Sequence, residues 1–285
     1  MKTYRIPVGI VALVVAALIG AILICGAAPV LDWLERPWSG DAHHHLAMPI
    51  AWHARLMVAG WVVAIPLGIL VARFFKILPT QNWPQELDKK TWWTWHRLLQ
   101  ALGYALAVGA ICFVWNLPRQ TGLLMAAHVA AGWTVVVFGG LQFLSGLLRG
   151  SKGAPADAAA GRAAQRGDHY DMTRRRIVFE YVHKSGGYIA VLLSWATAVM
   201  GLILVDAPRW MWLVIGLWWI LVALCFSIWQ RLGWCIDTYQ AIWGPDPVHP
   251  GNALRPIGFG VRRAKFSTEP LPKTRTPDAQ DQSHA

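Results

Sequence analysis

Six stretches of this chain are apolar over about the 20 residues that an α-helix needs to cross a bilayer core. They run over roughly 8–28, 50–72, 94–115, 122–147, 181–205 and 209–229. Charged residues make up only 14% of the chain and hydrophobic ones 55%, whereas a soluble domain carries roughly 25% charge. The pattern predicts an all-α integral membrane protein with six transmembrane helices. Thirteen of the 18 tryptophans fall near the ends of these stretches, as expected of an aromatic belt at headgroup level. The four cysteines form no CxxC pair and predict neither a disulfide framework nor a zinc site.

The formal charge of +11 would suggest nucleic acid in a soluble protein; here its placement matters more. Lysine and arginine number 2 in the N-terminal flank, 4 in the second loop, 7 in the fourth and 7 in the tail, against one in each of the other three loops. That asymmetry puts both termini in the cytoplasm and makes membrane lipid, not nucleic acid, the expected partner. The apolar run of the first stretch is too long for a typical signal peptide and reads as an uncleaved anchor. Three regions follow: 1–49, an anchor helix and extracytoplasmic loop; 50–230, the bundle; and 231–285, a basic and largely disordered cytoplasmic tail. Residues 150–167 read as a flexible Gly/Ala-rich stretch, and Thr173 as an N-cap.

Spans two to five carry one histidine each: His53, His96, His128 and His183. One intramembrane histidine is commonly a packing residue; four in consecutive spans point to a function. With alternating span directions, His53 and His128 lie near the outer face, and His96 and His183 near the cytoplasmic face. An up-down-up-down bundle places its first and third helices diagonally, and likewise its second and fourth. The expected pairs are therefore His53 with His128 and His96 with His183. Two facing imidazoles are too few for zinc, which takes three or four protein ligands. They suit haem, which brings four equatorial nitrogens and needs only axial ligands. At about 1.5 Å per residue the two irons would lie roughly 18–22 Å apart along the membrane normal.

Glycines share helical faces with the histidines: Gly132, Gly139 and Gly146 with His128, Gly187 and Gly201 with His183, Gly60 with His53, and Gly103 with His96. They would make room for a porphyrin, or let helices approach closely. Arg55, Arg97 and Lys184 adjoin the histidines and would pair with haem propionates or snorkel to the headgroups. Gln100 and Gln142 would orient ligands, bond propionates or join helices.

Four strings, His53-Ala-Arg-Leu-Met, Trp95-His-Arg-Leu-Leu-Gln, Ala127-His-Val-Ala-Ala-Gly-Trp and Val182-His-Lys-Ser-Gly-Gly-Tyr, resemble the cytochrome b561 superfamily over about 50–230. Leu148-Arg-Gly-Ser-Lys-Gly and Gly167-Asp-His-Tyr-Asp-Met-Thr are similar to its bacterial six-helix branch. The resemblance implies a four-helix di-haem core with two haem b groups, ligated as above, and electron transfer across a bacterial inner membrane. Family members reduce extracytoplasmic ferric iron or monodehydroascorbate, or accept electrons from a fused domain. Lys89 and Lys90 do not clearly match the ascorbate-binding pattern of the eukaryotic branch. Donor and acceptor stay open, and a homodimer is an untested expectation.

Other signals are weaker. The cluster His43–His45 reads as a solvated loop or an outer metal-ion site. His169 with Asp168 and Asp171 reads as a folded loop or a docking point for an electron donor. Two alternative functions stand beside the leading one: a quinone-linked cytochrome subunit of a larger oxidoreductase, and a metal-ion transporter using the histidines. Pro66 predicts a kink in span two.

Overall fold

The computed structural model describes residues 20, 26–40, 46–118, 121–154 and 167–265. Most of the expected first span lies outside these residues, as do His43–His45 and most of the stretch 150–167. Among the described residues five helices are long and apolar enough to cross a membrane. A short helix, α1 (Ala27–Glu35), precedes them where a loop was expected. The five spans are α2 (Met48–Phe74), α3 (Thr91–Val114), α4 (Leu123–Leu147), α5 (Arg174–Leu204) and α6 (Arg209–Arg231). The helix count of six rests on the undescribed segment; the all-α membrane class does not.

Helices α2 to α5 form a ring in which each packs on its chain neighbours and α5 returns to α2. The diagonals α2–α4 and α3–α5 make little direct contact, so space is left along the bundle axis. Helix α6 lies outside the ring against α1 and α2. At mid-depth the axis is filled by Trp61, Ile65, Ala107, Val135, Ala190 and Val191, drawn from all four ring helices. Outward-facing residues such as Leu98, Leu141, Leu192 and Leu217 are exposed, as a lipid-facing surface requires.

Pro66 follows a stretch in which the helix is rewound. Its missing N–H cannot close a helical bond, and the preceding seven residues, Val58–Ala64, wind as a π-helix. The chain passes this point with Ile65 N–H donating to Gly60 O, five residues back. The carbonyl of Val62, four residues before the proline, accepts instead from the Trp218 indole at 2.7 Å. Gln100 donates to Ile65 O at 3.0 Å. Two side chains from other helices thus supply donors along this stretch, as lipid cannot.

Helix α5 has 31 residues, about 46 Å at 1.5 Å per residue. A bilayer core is about 30 Å, so part of the helix projects beyond it. Thr173 caps it as expected, its side chain accepting from Arg176 N.

The tail departs from the expected disorder over residues 231–265. Helix α7 (Thr238–Trp243) is capped by Asp237, which also pairs with Arg263 at 2.7 Å while only 4% exposed. Arg263 further donates to the carbonyls of Gly251, Asn252 and Leu254. Tyr239 donates its hydroxyl to Tyr170 O at 2.8 Å, and Met172, Tyr239, Trp243 and Ile257 make a small core. Sequence composition missed this cap because polar contacts between distant residues, rather than apolar periodicity, hold it together. Residues 266–285 lie outside the described part.

The tryptophan belt is only partly a lipid-facing one. Trp33, Trp38, Trp52, Trp95, Trp115 and Trp210 are exposed at span ends, but Trp92 and Trp243 are buried.

Candidate haem-binding site

The ring order of the helices brings the four histidines together in two pairs. His53 of α2 faces His128 of α4 with ring centres 6.4 Å apart and planes at 75°. His96 of α3 faces His183 of α5, again at 6.4 Å, with planes at 79°. Both pairs span diagonals. Along α2, His53 lies fifteen residues from Gly68, whose carbonyl meets His96, so the levels are roughly 20 Å apart, the π-helical stretch rising less per residue than an α-helix.

Hydrogen bonding decides which nitrogen is available. His53 Nδ1 meets Ala110 O at 3.1 Å, His96 Nδ1 meets Gly68 O at 3.0 Å, and His128 Nδ1 meets Thr197 O at 3.1 Å. A carbonyl only accepts, so each Nδ1 must carry the proton and each Nε2 must present a lone pair. His183 Nδ1 meets Ser145 Oγ at 2.9 Å, and Ser145 itself donates to Gln142 O at 2.8 Å. That hydroxyl's proton is used, so His183 Nδ1 donates as well. All four imidazoles are held in the ligand tautomer by their second nitrogen, the arrangement metal-binding histidines use.

Ring centres 6.4 Å apart leave room for one metal ion between each pair. A direct imidazole–imidazole hydrogen bond is not formed in either pair. Among the described residues no group of three or more His, Cys, Asp or Glu could hold a metal ion, so each pair offers two ligands.

Around the inner pair lies a cavity of about 810 Å³, within the range of small-molecule and cofactor sites. Trp61, Ile65, Tyr104, Phe143 and Phe179 give it apolar walls. The end of it nearest residues 231–265 is cationic: Arg73, Lys76, Arg97, Arg149, Arg176 and Lys184 line it, with Glu180 the single carboxylate among the lining residues. Lys76 is buried and donates only to the carbonyls of Arg73 and Ile236. Burial, with the nearby Lys184 charge, brings its ammonium down to about 8. Such a surplus of positive charge suits a flat apolar ligand bearing carboxylates at one edge, which is the shape of haem.

The expected propionate partners divide. Arg97 lines the cavity and lies over the Trp93 ring at 5.8 Å. Lys184 lines it too but is ion-paired with Glu180 at 2.6 Å and donates to Ile257 O at 2.8 Å. Arg55 lies over Trp52 at 5.2 Å, near the outer pair. Gln100 lines the cavity, and its amide is spent on the bond to Ile65 O, which joins helices. Gln142 also lines it, with a buried Oε1 that has no hydrogen-bond partner.

The glycines divide between helix contacts and cavity lining. Gly60 and Gly103 are packed together, a Cβ on Gly60 falling 2.6 Å from Gly103 O, so they are helix contacts. Gly187 has no neighbour within 4 Å, and it and Gly146 line the cavity. Gly139 receives the edges of Trp61 and Tyr104.

Sequence reading did not single out Ser145, Arg73, Lys76, Arg149 or Glu180. Only Glu180 carried a signal, as the middle of the Arg176–Glu180–Lys184 series at helical spacing. The cap residues Gly258, Phe259 and Val261 line the same cavity. Their placement is long-range: Phe259 O accepts from Arg73 at 2.5 Å, and Gly260 O from Gln230 at 2.7 Å. His169 is buried in this region, its ring edge-on to Tyr239 and its Nε2 3.9 Å from Glu180 Oε1. Asp168 binds Ser151 and Thr173, and Asp171 accepts from Gly167 N, which is a loop-folding role for both acids.

Fold and site together define a multi-pass membrane protein with two stacked histidine pairs in a four-helix ring. Residues 52–157 match the family described as eukaryotic cytochrome b561. The chain is 30% identical over 215 residues to a Drosophila melanogaster protein named a ferric-chelate reductase 1 homolog, covering 71% of this chain and 29% of that one. It is 24% identical over 198 residues to a cytochrome b561 and DOMON domain-containing protein of Arabidopsis thaliana, covering 69% of this chain and 42% of the relative. A second Arabidopsis protein of that description is 26% identical over 161 residues, covering 56% and 29%. The chain spans less than half the length of these curated relatives. No solved structure matches. The matches place residues 52–157 in the cytochrome b561 family, which implies b-type haem binding.

Proposed function

We propose that this protein passes electrons across a membrane through two b-type haems, one near each face. His53 and His128 hold the outer haem, and His96 and His183 the inner one. The observation that carries this reading is the repeated 6.4 Å separation of imidazoles on diagonal helices, each with its Nδ1 committed and its Nε2 free to bind metal. When bound, haem would supply a one-electron couple between the two members of each pair. The chain's own residues do the rest. The carbonyls of Ala110, Gly68 and Thr197 and the hydroxyl of Ser145 fix the ring planes. Arg73, Arg97 and Arg149 offer charge to propionates at the cytoplasmic end of the cavity. The mid-depth core around Trp61 and Val135 fills the space between levels and keeps water from it.

The asymmetry of basic loops supports a cytoplasmic position for the cap and for both termini; a bacterial inner membrane is what the resemblance of the 148–153 and 167–173 strings implies. The fly relative is named for ferric-chelate reduction; an extracytoplasmic acceptor such as ferric iron is the corresponding role here. The deciding experiment is haem stoichiometry and redox titration of the purified chain. We expect about two haems per chain, a reducible b-type α band and two titrating components. A colourless chain from haem-replete cells overturns the reading.

A further inference from the structure

Three of the four ligand imidazoles donate Nδ1–H to main-chain carbonyls, which no substitution can remove. The fourth does not. His183 Nδ1 donates to the side-chain hydroxyl of Ser145, at 2.9 Å, on the facing helix α4. Ser145 passes its own proton to Gln142 O at 2.8 Å. A serine in a helix commonly bonds back to its own turn; here the same hydroxyl also receives the imidazole. The result is a relay, His183 Nδ1–H to Ser145 Oγ–H to Gln142 O, in which each bond polarises the next. Phe179 stacks on the His183 ring with centres 5.0 Å apart and planes at 29°. Phe179 covers a face of the ring, and Ser145 holds its edge and fixes the tautomer.

We infer that Ser145 is a positioning residue that sets the orientation and electron-donating strength of His183 toward the inner haem. This rests on the two-haem reading above. An imidazole that donates Nδ1–H to an acceptor gains imidazolate character and becomes a more basic ligand. A more basic ligand favours ferric over ferrous iron, so the acceptor holds the potential down. Removing it raises the potential of the inner haem and frees the ring to turn. The outer haem, whose ligands lean on Ala110 and Thr197 carbonyls, keeps its own value.

The test uses the full chain purified with haem, comparing wild type, Ser145→Ala and Ser145→Thr. We expect Ser145→Ala to shift one of the two midpoint potentials upward and leave the other in place. It should alter one low-spin ferric EPR signal and weaken inner-haem retention by about 10- to 100-fold, the usual effect of losing such a partner. Ser145→Thr keeps the hydroxyl and should restore all three. If Ser145→Ala does not accumulate, Ser145→Cys keeps the volume and offers only a weak acceptor; a shift in the same direction is expected. Both potentials unchanged in a two-haem Ser145→Ala or Ser145→Cys protein would overturn the role of Ser145 and leave the two-haem reading standing. A wild-type chain without haem would overturn that reading, and this inference with it.

Discussion

Gly201 lies edge-on to His128: a Cβ at position 201 would stand 3.2 Å from Cε1 of the imidazole. The ring is already tied by Nδ1 to Thr197 O, so it has little room to give. Gly201→Ala should therefore disturb the outer haem alone, seen as a change in one of two EPR signals or α-band components. The contrasting variant is Gly216→Ala on α6, outside the ring, where the added carbon meets nothing within 4 Å; both signals should be almost unchanged.

Ligand loss should follow the diagonals. Alanine at His53 or His128 should each remove the outer haem and leave one per chain, while alanine at His96 or His183 should remove the inner one. Pyridine haemochrome stoichiometry with redox titration distinguishes these outcomes. If His53→Ala and His96→Ala abolished the same redox component, the assignment would be wrong.

The bond from Trp218 to Val62 O serves stability rather than ligation. Trp218→Phe keeps the aromatic bulk and strands a buried carbonyl beside Pro66. The cost should be about 1–3 kcal/mol, read as a lower thermal transition in detergent with haem content unchanged.

The cap depends on one buried ion pair. Arg263→Ala leaves Asp237, 4% exposed, without its guanidinium. Breaking a buried pair from one side costs about 3–5 kcal/mol. Hydrogen exchange over residues 232–263 should accelerate accordingly, while exchange in α2 to α5 stays slow.

Acid should loosen the same region through His169. Burial, then the Arg176 charge, hold this imidazole down at about 3, against the opposing pull of Glu180; Lys152 and Lys184 add smaller effects of the same sign as Arg176. In an opened cap it would titrate near 6.5. Between these values the open state binds a proton that the closed state refuses. The contribution to stability is therefore whole above about pH 6.5 and falls as pH drops toward 3. By pH 5 the loss is about 2 kcal/mol. Hydrogen exchange of 167–173 and 238–243 at pH 7 and 5 measures it, and His169→Phe should lessen the difference.

Several features were legible without coordinates because they are local or set by topology. Each span's hydropathy is a property of one segment, and bilayer thickness converts it into a helix. The pairing of His53 with His128 and His96 with His183 follows from alternating span direction and ring order, and needs no side-chain detail. The N-cap of Thr173 depends on its own turn. By contrast, Gly60 and Gly103 fell on histidine faces and proved to be helix contacts. Periodicity gives a face but not what stands opposite it.

What the sequence alone determined, then, was a membrane-spanning helical ring with an imidazole at one of two depths on each of four helices. Apolar length and charge asymmetry fix those facts against the bilayer, one span at a time. Only the tertiary structure decided which acceptor holds each Nδ1, and so which nitrogen keeps a free lone pair. It alone brought Trp218 to the carbonyl beside Pro66, and folded residues 231–265 over the inner cavity. These contacts join residues up to 186 positions apart, as Arg73 and Phe259 are. They form because buried polar groups in lipid or a packed core must find partners wherever the fold supplies them, a requirement that leaves no periodic mark on the chain.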